Sequence, residues 1–218
     1  MITKISIEVY KKRYLKADIR RQKADDQKLT AEIQHPKFPN PSSNKMTKTK
    51  YVSESLTTMT EMIFPNDTNT LGNLMGGNLM RMMDVVGAIC AQKHSNRIVV
   101  TASVDNVSFK ESIPLGSVVT LQAKVTRAFS SSMEVVIDVW AENIPAQERV
   151  STNKAFFTFV AVDQSGRPID VPISLTETDE EKALHEGALR RRQLRLVLAG
   201  RMKPSEATEL KTFLNGGE

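Results

Sequence analysis

The sequence contains little cysteine and little histidine, and this scarcity excludes several kinds of site. One cysteine, Cys90, occurs in 218 residues, so an internal disulfide framework is excluded and a reducing, cytoplasmic setting is expected. The three histidines, His35, His94 and His185, are far apart and have no cysteine beside them. Because a metal site needs a cluster of ligands, we expect no metal site.

Long apolar runs are also missing. No stretch approaches the ~20 apolar residues of a membrane span. The first residues lack the basic, apolar and small-residue order of a signal peptide. We therefore expect no membrane association. With 40% hydrophobic residues, the chain is long enough to bury one good core.

Excess positive charge is confined to the start of the chain. Residues 1–50 carry 13 Lys and Arg against 5 Asp and Glu, whereas residues 51–218 carry 17 against 20. The first segment is polar and ends in a stretch rich in Pro, Asn and Ser, so we predict a disordered or loosely helical leader. A nucleic-acid-binding arm and an anion-attracting tail both fit this charge. The residues favour no specific role, and Met46 is an alternative start that would remove the leader.

From residue 51 the pattern predicts one strand, one long helix and four further strands joined mainly by short turns. The predicted strands are Ser55–Phe64, Arg97–Phe109, Gly116–Phe129, Met133–Asn143 and Val150–Asp163, and the predicted helix is Leu74–Lys93. The strand at Arg97–Phe109 alternates around Val100, Ala102, Val104 and Val107. An antiparallel sheet covered by a single helix is an α+β architecture. We assign it to residues 51–170 as one domain.

Residues 171–218 are predicted to form a helical tail. A second helix at Thr176–Leu196 has acidic first turns and the run RRR near its end, which suits the helix dipole. Thr176 with Asp179 resembles a capping box. The RRR run is compatible with a phosphate-bearing ligand or nucleic acid, but a solvated helix face is favoured. A short helix is predicted at Lys203–Leu214.

The long helix is apolar nearly all round, so it must be wrapped by the sheet or by a partner subunit. Gly76 and Gly77 near its start are each less favourable in a helix than Ala by ~1 kcal/mol. Their use is explained if another group must approach the backbone closely. The free N–H groups and the positive dipole of a helix start suit a carbonyl oxygen that gathers negative charge.

Asp84 is the one carboxylate in this helix, about two turns after Gly77 on the same face and ~10 Å along the axis. An ionised carboxylate there is costly unless it is paired, hydrogen-bonded or reached by water. It is either a structural aspartate or a general base, and the double glycine on its face favours the base. A carboxylate that deprotonates water and amides that hold an oxyanion are what hydrolysis of an activated acyl bond requires.

Other nucleophiles fit less well. Cys90 is expected in the core, and His94 is expected at the helix end with solvent as its main partner. The sequence contains no G-x-S-x-G elbow, so a serine triad has no support.

Three motifs are similar to those of the hotdog-fold acyl-coenzyme A thioesterases, in the branch with a single-domain bacterial form and a two-domain animal form. They are FPNDTNTLGNLMGGNLMRMMDVVGAI (Phe64–Ile89), VVTASVDNVSF (Val99–Phe109) and AFFTFVAVDQSGRP (Ala155–Pro168). With their spacing they span about residues 54–170, half of the chain. The leader lies outside the resemblance, and the tail helix matches only loosely.

The resemblance implies a sheet wrapped around the central helix, two subunits pairing side by side, and further assembly into a hexamer, a trimer of dimers. Active sites then form at the subunit interface, with acyl-CoA as substrate and a free acid and CoA as products. The family's essential carboxylate maps to Asp84 and its loop asparagine to Asn69, although an Asx-turn role for Asn69 is an equal alternative. Coenzyme A arrives with the substrate, so no prosthetic group is needed. Its phosphates favour cations and amides, for which Arg127, Ser131 and Ser132 are candidates.

Two other functions stay open. A hotdog dehydratase or hydratase acting on acyl thioesters would place a histidine in its site, whereas the central helix has no histidine before its end. A non-catalytic acyl-CoA-binding module, with the basic leader docking on a partner or on nucleic acid, is disfavoured by the presence of both Asp84 and Asn69. The thioesterase is therefore the predicted function, and a nucleic-acid partner is not expected.

Overall fold

The computed structural model describes residues 49–105, 107, 109 and 111–216, so all but the last two residues of the predicted leader lie outside the described residues. The elements in chain order are β1 (Thr49–Tyr51), β2 (Thr57–Met62), α1 (Gly76–Ser95), β3 (Ile98–Val104), β4 (Val118–Ala128), β5 (Ser132–Asn143), β6 (Glu148–Val162), β7 (Ile173–Leu175), α2 (Asp179–Leu198) and α3 (Thr208–Asn215). Short 3-10 turns lie at Val52–Ser55, Pro65–Asp67 and Pro204–Glu206. None of the described helices is long and apolar enough to cross a membrane.

Five strands form one antiparallel sheet in the order β2-β4-β5-β6-β3. In β4 the alternation expected from the sequence is confirmed, since Val119, Leu121, Ala123 and Val125 are all buried. Helix α1 contacts all five strands, and its buried side chains form a single core with those of the sheet. This is the predicted α+β fold, a sheet wrapped around one long helix.

One glycine sets how closely α1 approaches the sheet. A Cβ atom on Gly87 would lie 2.9 Å from the ring of Phe159 and 3.2 Å from Ile137. Both of those side chains are fully buried and cannot move aside. Glycine is therefore required at this crossing point.

The prediction that α1 is enclosed on every side is only partly met within one chain. Leu79, Met83 and Val86 are buried against the sheet, whereas Val85 and Ile89 are 39% and 42% exposed. The helix therefore leaves one apolar stripe that its own sheet does not cover.

The predicted phase of β3 is wrong. Val99 packs against the core, while Val100 and Val104 point outward and are 49% and 39% exposed. Apolar residues occupy both faces of this strand, so alternation alone could not choose between the two phases. Strand β3 is also an edge of the sheet, with β6 as its one neighbour among the described strands.

The prediction for His94 is also wrong. The ring is completely buried, and its Nε2 lies 3.0 Å from the carbonyl oxygen of Pro172. Since a carbonyl only accepts, Nε2 carries the hydrogen. Pro172 directly precedes β7, which forms a short parallel pair with β1. Sequence reasoning missed this pair because three-residue strands so far apart leave no periodic signal. Cys90 lies in the core as expected, and its burial raises the pKa of the thiol to about 12.

The tail helix differs from its prediction in two respects. Its capping box is Thr178 with Glu181, two residues later than expected, because Glu181 can reach back to the N-cap and Asp179 cannot. The RRR run is not a solvated face. Arg190 stacks on the ring of Phe213, Arg191 on Phe156 and Arg192 on Phe129.

Candidate active site

Asp84 lies at the boundary between the buried and exposed faces of α1 and is half-buried. Its Oδ1 accepts a hydrogen bond of 2.5 Å from the Thr101 hydroxyl on β3. This length is typical of a charge-assisted O–H···O⁻ bond. Oδ2 has no hydrogen-bond partner within the described part of the chain. The arrangement fixes the carboxylate while leaving one oxygen to act on water.

Thr101 is a candidate site residue that sequence reasoning missed. The pairing of β3 with β6 shifts register between Thr101 and Ser103. A bulge of this kind re-aims a side chain and is common beside active sites. The one signal in the sequence was a polar residue in phase with Val99, which packs against the core, and the wrong phase for β3 concealed it.

The first turn of α1 presents free backbone donors. Met75 is the N-cap residue and makes no side-chain capping bond, and the first N–H groups of a helix have no intrahelical acceptor. A Cβ atom on Gly77 would meet nothing within 4 Å, and one on Gly76 would lie 3.5 Å from the ring of Phe109. Contacts within one chain therefore do not require glycine here, and the backbone at Gly77 is open to an incoming group.

Asn69 shapes the loop that precedes α1. Its side-chain Oδ1 accepts from the N–H groups of Leu71 at 2.9 Å and Asn73 at 3.2 Å. This is the Asx-turn arrangement expected as one of the two alternatives. The side-chain Nδ2 remains available as a donor, so the turn role does not exclude a role toward a ligand.

Asn69 and Gly76 border the same open cleft, whose volume is about 290 Å³. Its walls are Asn69, Asn73, Leu74, Gly76, Leu79, Phe109, Glu111, Ser112 and Ile113. Asp84 is not part of this wall, since it lies about two turns further along the helix. One chain thus brings together Gly76, one of the two predicted oxyanion donors, and Asn69, and holds the predicted base apart from them.

The residues predicted to bind coenzyme A phosphates lie elsewhere. Arg127 donates to the backbone carbonyl of His185 on α2 at 3.3 Å. Ser131 and Ser132 accept backbone hydrogen bonds from Ala161 and Phe129 through their carbonyl oxygens. None of the three borders the Asn69 cleft. In addition, no three His, Cys, Asp or Glu side chains within the described ranges cluster as metal ligands would.

Known proteins provide an independent comparison. Residues 71–146 match the family model of the thioesterase superfamily. An uncharacterised acyl-CoA thioester hydrolase of Bacillus subtilis is 40% identical over 144 residues, which are 66% of this chain and 84% of that protein. The cytosolic acyl coenzyme A thioester hydrolase of Rattus norvegicus is 35% identical over 156 residues, which are 70% of this chain and 41% of that longer protein.

Two solved structures resemble this chain in both fold and sequence. A hexameric acyl-CoA thioesterase is 40% identical, with a TM-score of 0.68, over 70% of this chain and 98% of that one. An acyl-CoA hydrolase of Staphylococcus aureus, solved with butyryl coenzyme A, coenzyme A and coenzyme A disulfide, is 35% identical with a TM-score of 0.65 over 70% and 95% of the two chains.

Three alanine variants of the Staphylococcus hydrolase have also been solved. They replace an aspartate, an asparagine 15 residues before it and a threonine 17 residues after it. The same two intervals separate Asn69 from Asp84 and Asp84 from Thr101. The matched family model, the identity with full-length bacterial relatives and the shared fold agree, and this chain belongs to the hotdog-fold acyl-CoA thioesterase family.

Proposed function

We propose that this protein hydrolyses acyl-CoA thioesters to a free carboxylic acid and CoA, with Asp84 as the general base. The observation that carries the proposal is Asp84 itself, an aspartate fixed by Thr101 with its second oxygen unpartnered in the described structure. Family membership indicates the substrate class, and the carboxylate provides a group that can deprotonate water.

The proposed reaction uses the Asp84 carboxylate as a proton acceptor and the backbone N–H groups at the start of α1 as hydrogen-bond donors. Asp84 takes a proton from water as the water oxygen forms a bond to the thioester carbon. Negative charge then gathers on the carbonyl oxygen, where the N–H groups of Gly76 and Gly77 stabilise it at the positive end of α1. The C–S bond breaks, and the CoA thiolate receives the proton held by Asp84. Every atom of water ends in the products, and no cofactor is required.

Distance within one chain argues that a second copy completes each site. Asp84 lies ~10 Å along the helix axis from Gly77, whereas a base and an oxyanion donor must each come within about 3 Å of the reacting group. We therefore place Asp84 of one subunit opposite Gly76, Gly77 and Asn69 of another. The exposed apolar stripe on α1 and the open edge of β3 are the surfaces that such pairing would cover.

The oligomeric state and the cellular location are also part of the proposal. Two relatives with solved structures are hexameric thioesterases, and we propose a dimer that assembles further into a hexamer. The rat relative is cytosolic by name, and we propose a cytoplasmic location here. Arg127, Ser131 and Ser132 stay as proposed contacts for CoA phosphates that would arrive from another part of the assembly.

Release of free thiol from a panel of acyl-CoA esters tests the function, with wild type measured beside Asp84→Asn. We expect the variant to fold normally and to lose about 10²- to 10⁴-fold in turnover, the usual contribution of a general base. Asparagine keeps the shape and can still accept from Thr101, so circular dichroism and thermal unfolding should match the wild type. Lost activity with lost folding would instead make Asp84 structural.

No thiol release by wild type with any ester would overturn the proposed hydrolase. Equilibrium dialysis with the same esters would then test for binding without turnover. Change at the acyl chain with the thioester intact would indicate a hydratase or dehydratase.

A further inference from the structure

A network of buried charges joins the C-terminal helix to the sheet. Glu134 on β5 is completely buried. Arg191 donates to it through Nη2 at 2.7 Å and through Nε to both oxygens at 3.2 Å. The hydroxyl of Thr126 donates to the same carboxylate at 2.7 Å. The Glu134 charge is thus satisfied from two sides, and its position is fixed.

A glycine in α2 makes room for this contact. A Cβ atom on Gly187 would lie 2.7 Å from Nη1 of Arg191. A shift of the guanidinium would disturb the hydrogen bonds that Nη2 donates to the carbonyl of Leu184 at 3.0 Å and to Glu134 at 2.7 Å. Glycine in a helix interior is otherwise unfavourable, so this position indicates that the network is built into the tail.

Arg195, about one turn further along α2, extends the network to another strand. Its Nη1 donates to the two carboxylate oxygens of Asp105 at 3.0 and 2.9 Å and to Glu134 at 3.4 Å. The side chains of Arg195 and Asp105 are 19% and 18% exposed. Such a pair is screened less than a surface pair, and removing one member leaves the other uncompensated.

In the sequence, Asp105 lies midway between two residues of the candidate site, Thr101 and Phe109. It directly follows β3, and its N–H donates to the carbonyl of Phe156 at 2.9 Å. Four residues before it, Thr101 holds Asp84. Four residues after it, the ring of Phe109 covers Gly76 and forms a wall of the cleft.

We propose that Arg195 is a positioning residue that acts through Asp105. It fixes the end of β3 and thereby the placement of Phe109 over the start of α1, so that the C-terminal helix controls how tightly the cleft holds acyl-CoA. Thr101 is kept in place by the β3–β6 ladder, so the effect falls on substrate binding more than on the chemical step. This inference rests on the proposed hydrolase function for its kinetic part alone.

The test replaces Arg195 by leucine and uses Arg190→Leu as a matched control. Arg190 lies on the same helix, and its guanidinium stacks on Phe213 of α3, away from β3. In Arg195→Leu we expect KM for acyl-CoA to rise about three- to tenfold, with kcat changed less than twofold. Arg190→Leu should keep both constants.

A second variant guards against misfolding. Asp105→Asn keeps the shape of the side chain and removes its charge, and it should raise KM in the same way. Because the two residues act as one unit, the double variant Arg195→Leu with Asp105→Asn should be no worse than the more affected single variant. Additive effects on KM would overturn the coupling.

Hydrogen exchange at the Asp105 amide tests the anchoring step without reference to activity. We expect faster exchange in Arg195→Leu than in Arg190→Leu and wild type. Unchanged exchange overturns the proposal even if the enzyme is active. Faster exchange with unchanged KM also overturns it, because the anchor would then not reach the cleft. An inactive wild type would contradict the hydrolase function. Hydrogen exchange at the Asp105 amide alone would then decide whether Arg195 positions the end of β3.

Discussion

At the scale of single residues, the carboxylate within an apolar helix is stabilised by a hydrogen bond from outside the helix. Asp84 was identifiable from the sequence, because a lone charge among apolar residues needs a partner or access to water. Thr101, which provides the partner, was not. The face of β3 on which Thr101 lies depends on a bulge and on exposed apolar residues in the same strand. Neither feature can be predicted from the alternation of apolar and polar residues.

The role of Thr101 can be measured by removing its hydroxyl. Thr101→Val keeps the β-branched shape and leaves Asp84 without its donor. A hydrogen bond to a charged group contributes about 1.5–3 kcal/mol, so we expect thiol release to fall about 10- to 100-fold with the fold intact. Thr101→Ser retains the hydroxyl and should keep most of the activity. Equal losses in both variants would show that packing, and not the hydrogen bond, is what matters.

His94 makes stability depend on pH. Burial is the main cause that lowers the pKa of His94, and Lys50 acts in the same direction. Glu54 and the Pro172 carbonyl oppose it. The ring Nδ1 is buried without a partner in the described structure, so a charged ring would lack compensation there.

The sign of the effect follows from proton binding. The unfolded chain takes up a proton at this ring below pH about 6.5, where the folded chain does not. The stability that neutral His94 contributes is therefore present above this pH and is lost as the pH falls toward the lowered folded pKa. We expect the free energy of unfolding of wild type to fall more between pH 7.5 and 5.5 than that of His94→Asn. His185 is common to both chains and cancels, so parallel curves would contradict the role of His94.

At the scale of elements, the sequence predicts best those segments whose local pattern agrees with their burial. Helix α1 begins and ends two residues later than predicted, and β4 and β5 lie within two residues of their predicted bounds. The misses share one physical cause. The β1–β7 pair, the burial of His94 and the partners of Arg191 and Arg195 all depend on contacts between segments far apart in sequence, which no local window contains.

The crossing of α1 over the sheet gives a stability prediction. Gly87→Ala adds a methyl group where Phe159 and Ile137 leave no space, so we expect a loss of about 1–3 kcal/mol in the free energy of unfolding despite the better helix propensity of alanine. Urea unfolding measures it. Gly77→Ala is the matched control, because a Cβ atom there meets nothing within 4 Å. It should leave stability unchanged or raise it, and an equal loss at both sites would mean that packing at Gly87 is not the cause.

At the scale of the whole molecule, two independent features of the single chain favour the proposed pairing of subunits. Its proposed base and its proposed oxyanion donors are about two turns apart on one helix. Its edge strand and helix leave Val85, Ile89 and Val100 partly exposed. A single mode of subunit pairing would bring the separated groups together and cover the exposed apolar side chains. The sequence could indicate this through the resemblance to a dimeric family and through the apolar character of both faces of β3. It could not indicate which chain provides which group.

Complementation between two inactive variants decides that question. Gly76→Pro removes one oxyanion donor at the first helical position, where proline is well tolerated, and the extended backbone of Met75 suits a following proline. Gly76→Ala keeps the N–H, and its Cβ atom would sit at 3.5 Å from Phe109, an ordinary contact. We expect low activity in Gly76→Pro and clearly higher activity in Gly76→Ala, because alanine adds a methyl group to the cleft but retains the N–H donor.

Mixing Asp84→Asn with Gly76→Pro under conditions of subunit exchange should restore activity. Half of randomly mixed dimers contain one chain of each kind, and each such dimer has one site with both groups intact, so about a quarter of wild-type thiol release should return. Each variant mixed with itself provides the baseline, and mass spectrometry of differently tagged chains measures the exchange. If mixed dimers form and activity stays at the baseline, Asp84 and the start of α1 act within one chain, and the site described here must close by a movement of α1 instead of by pairing.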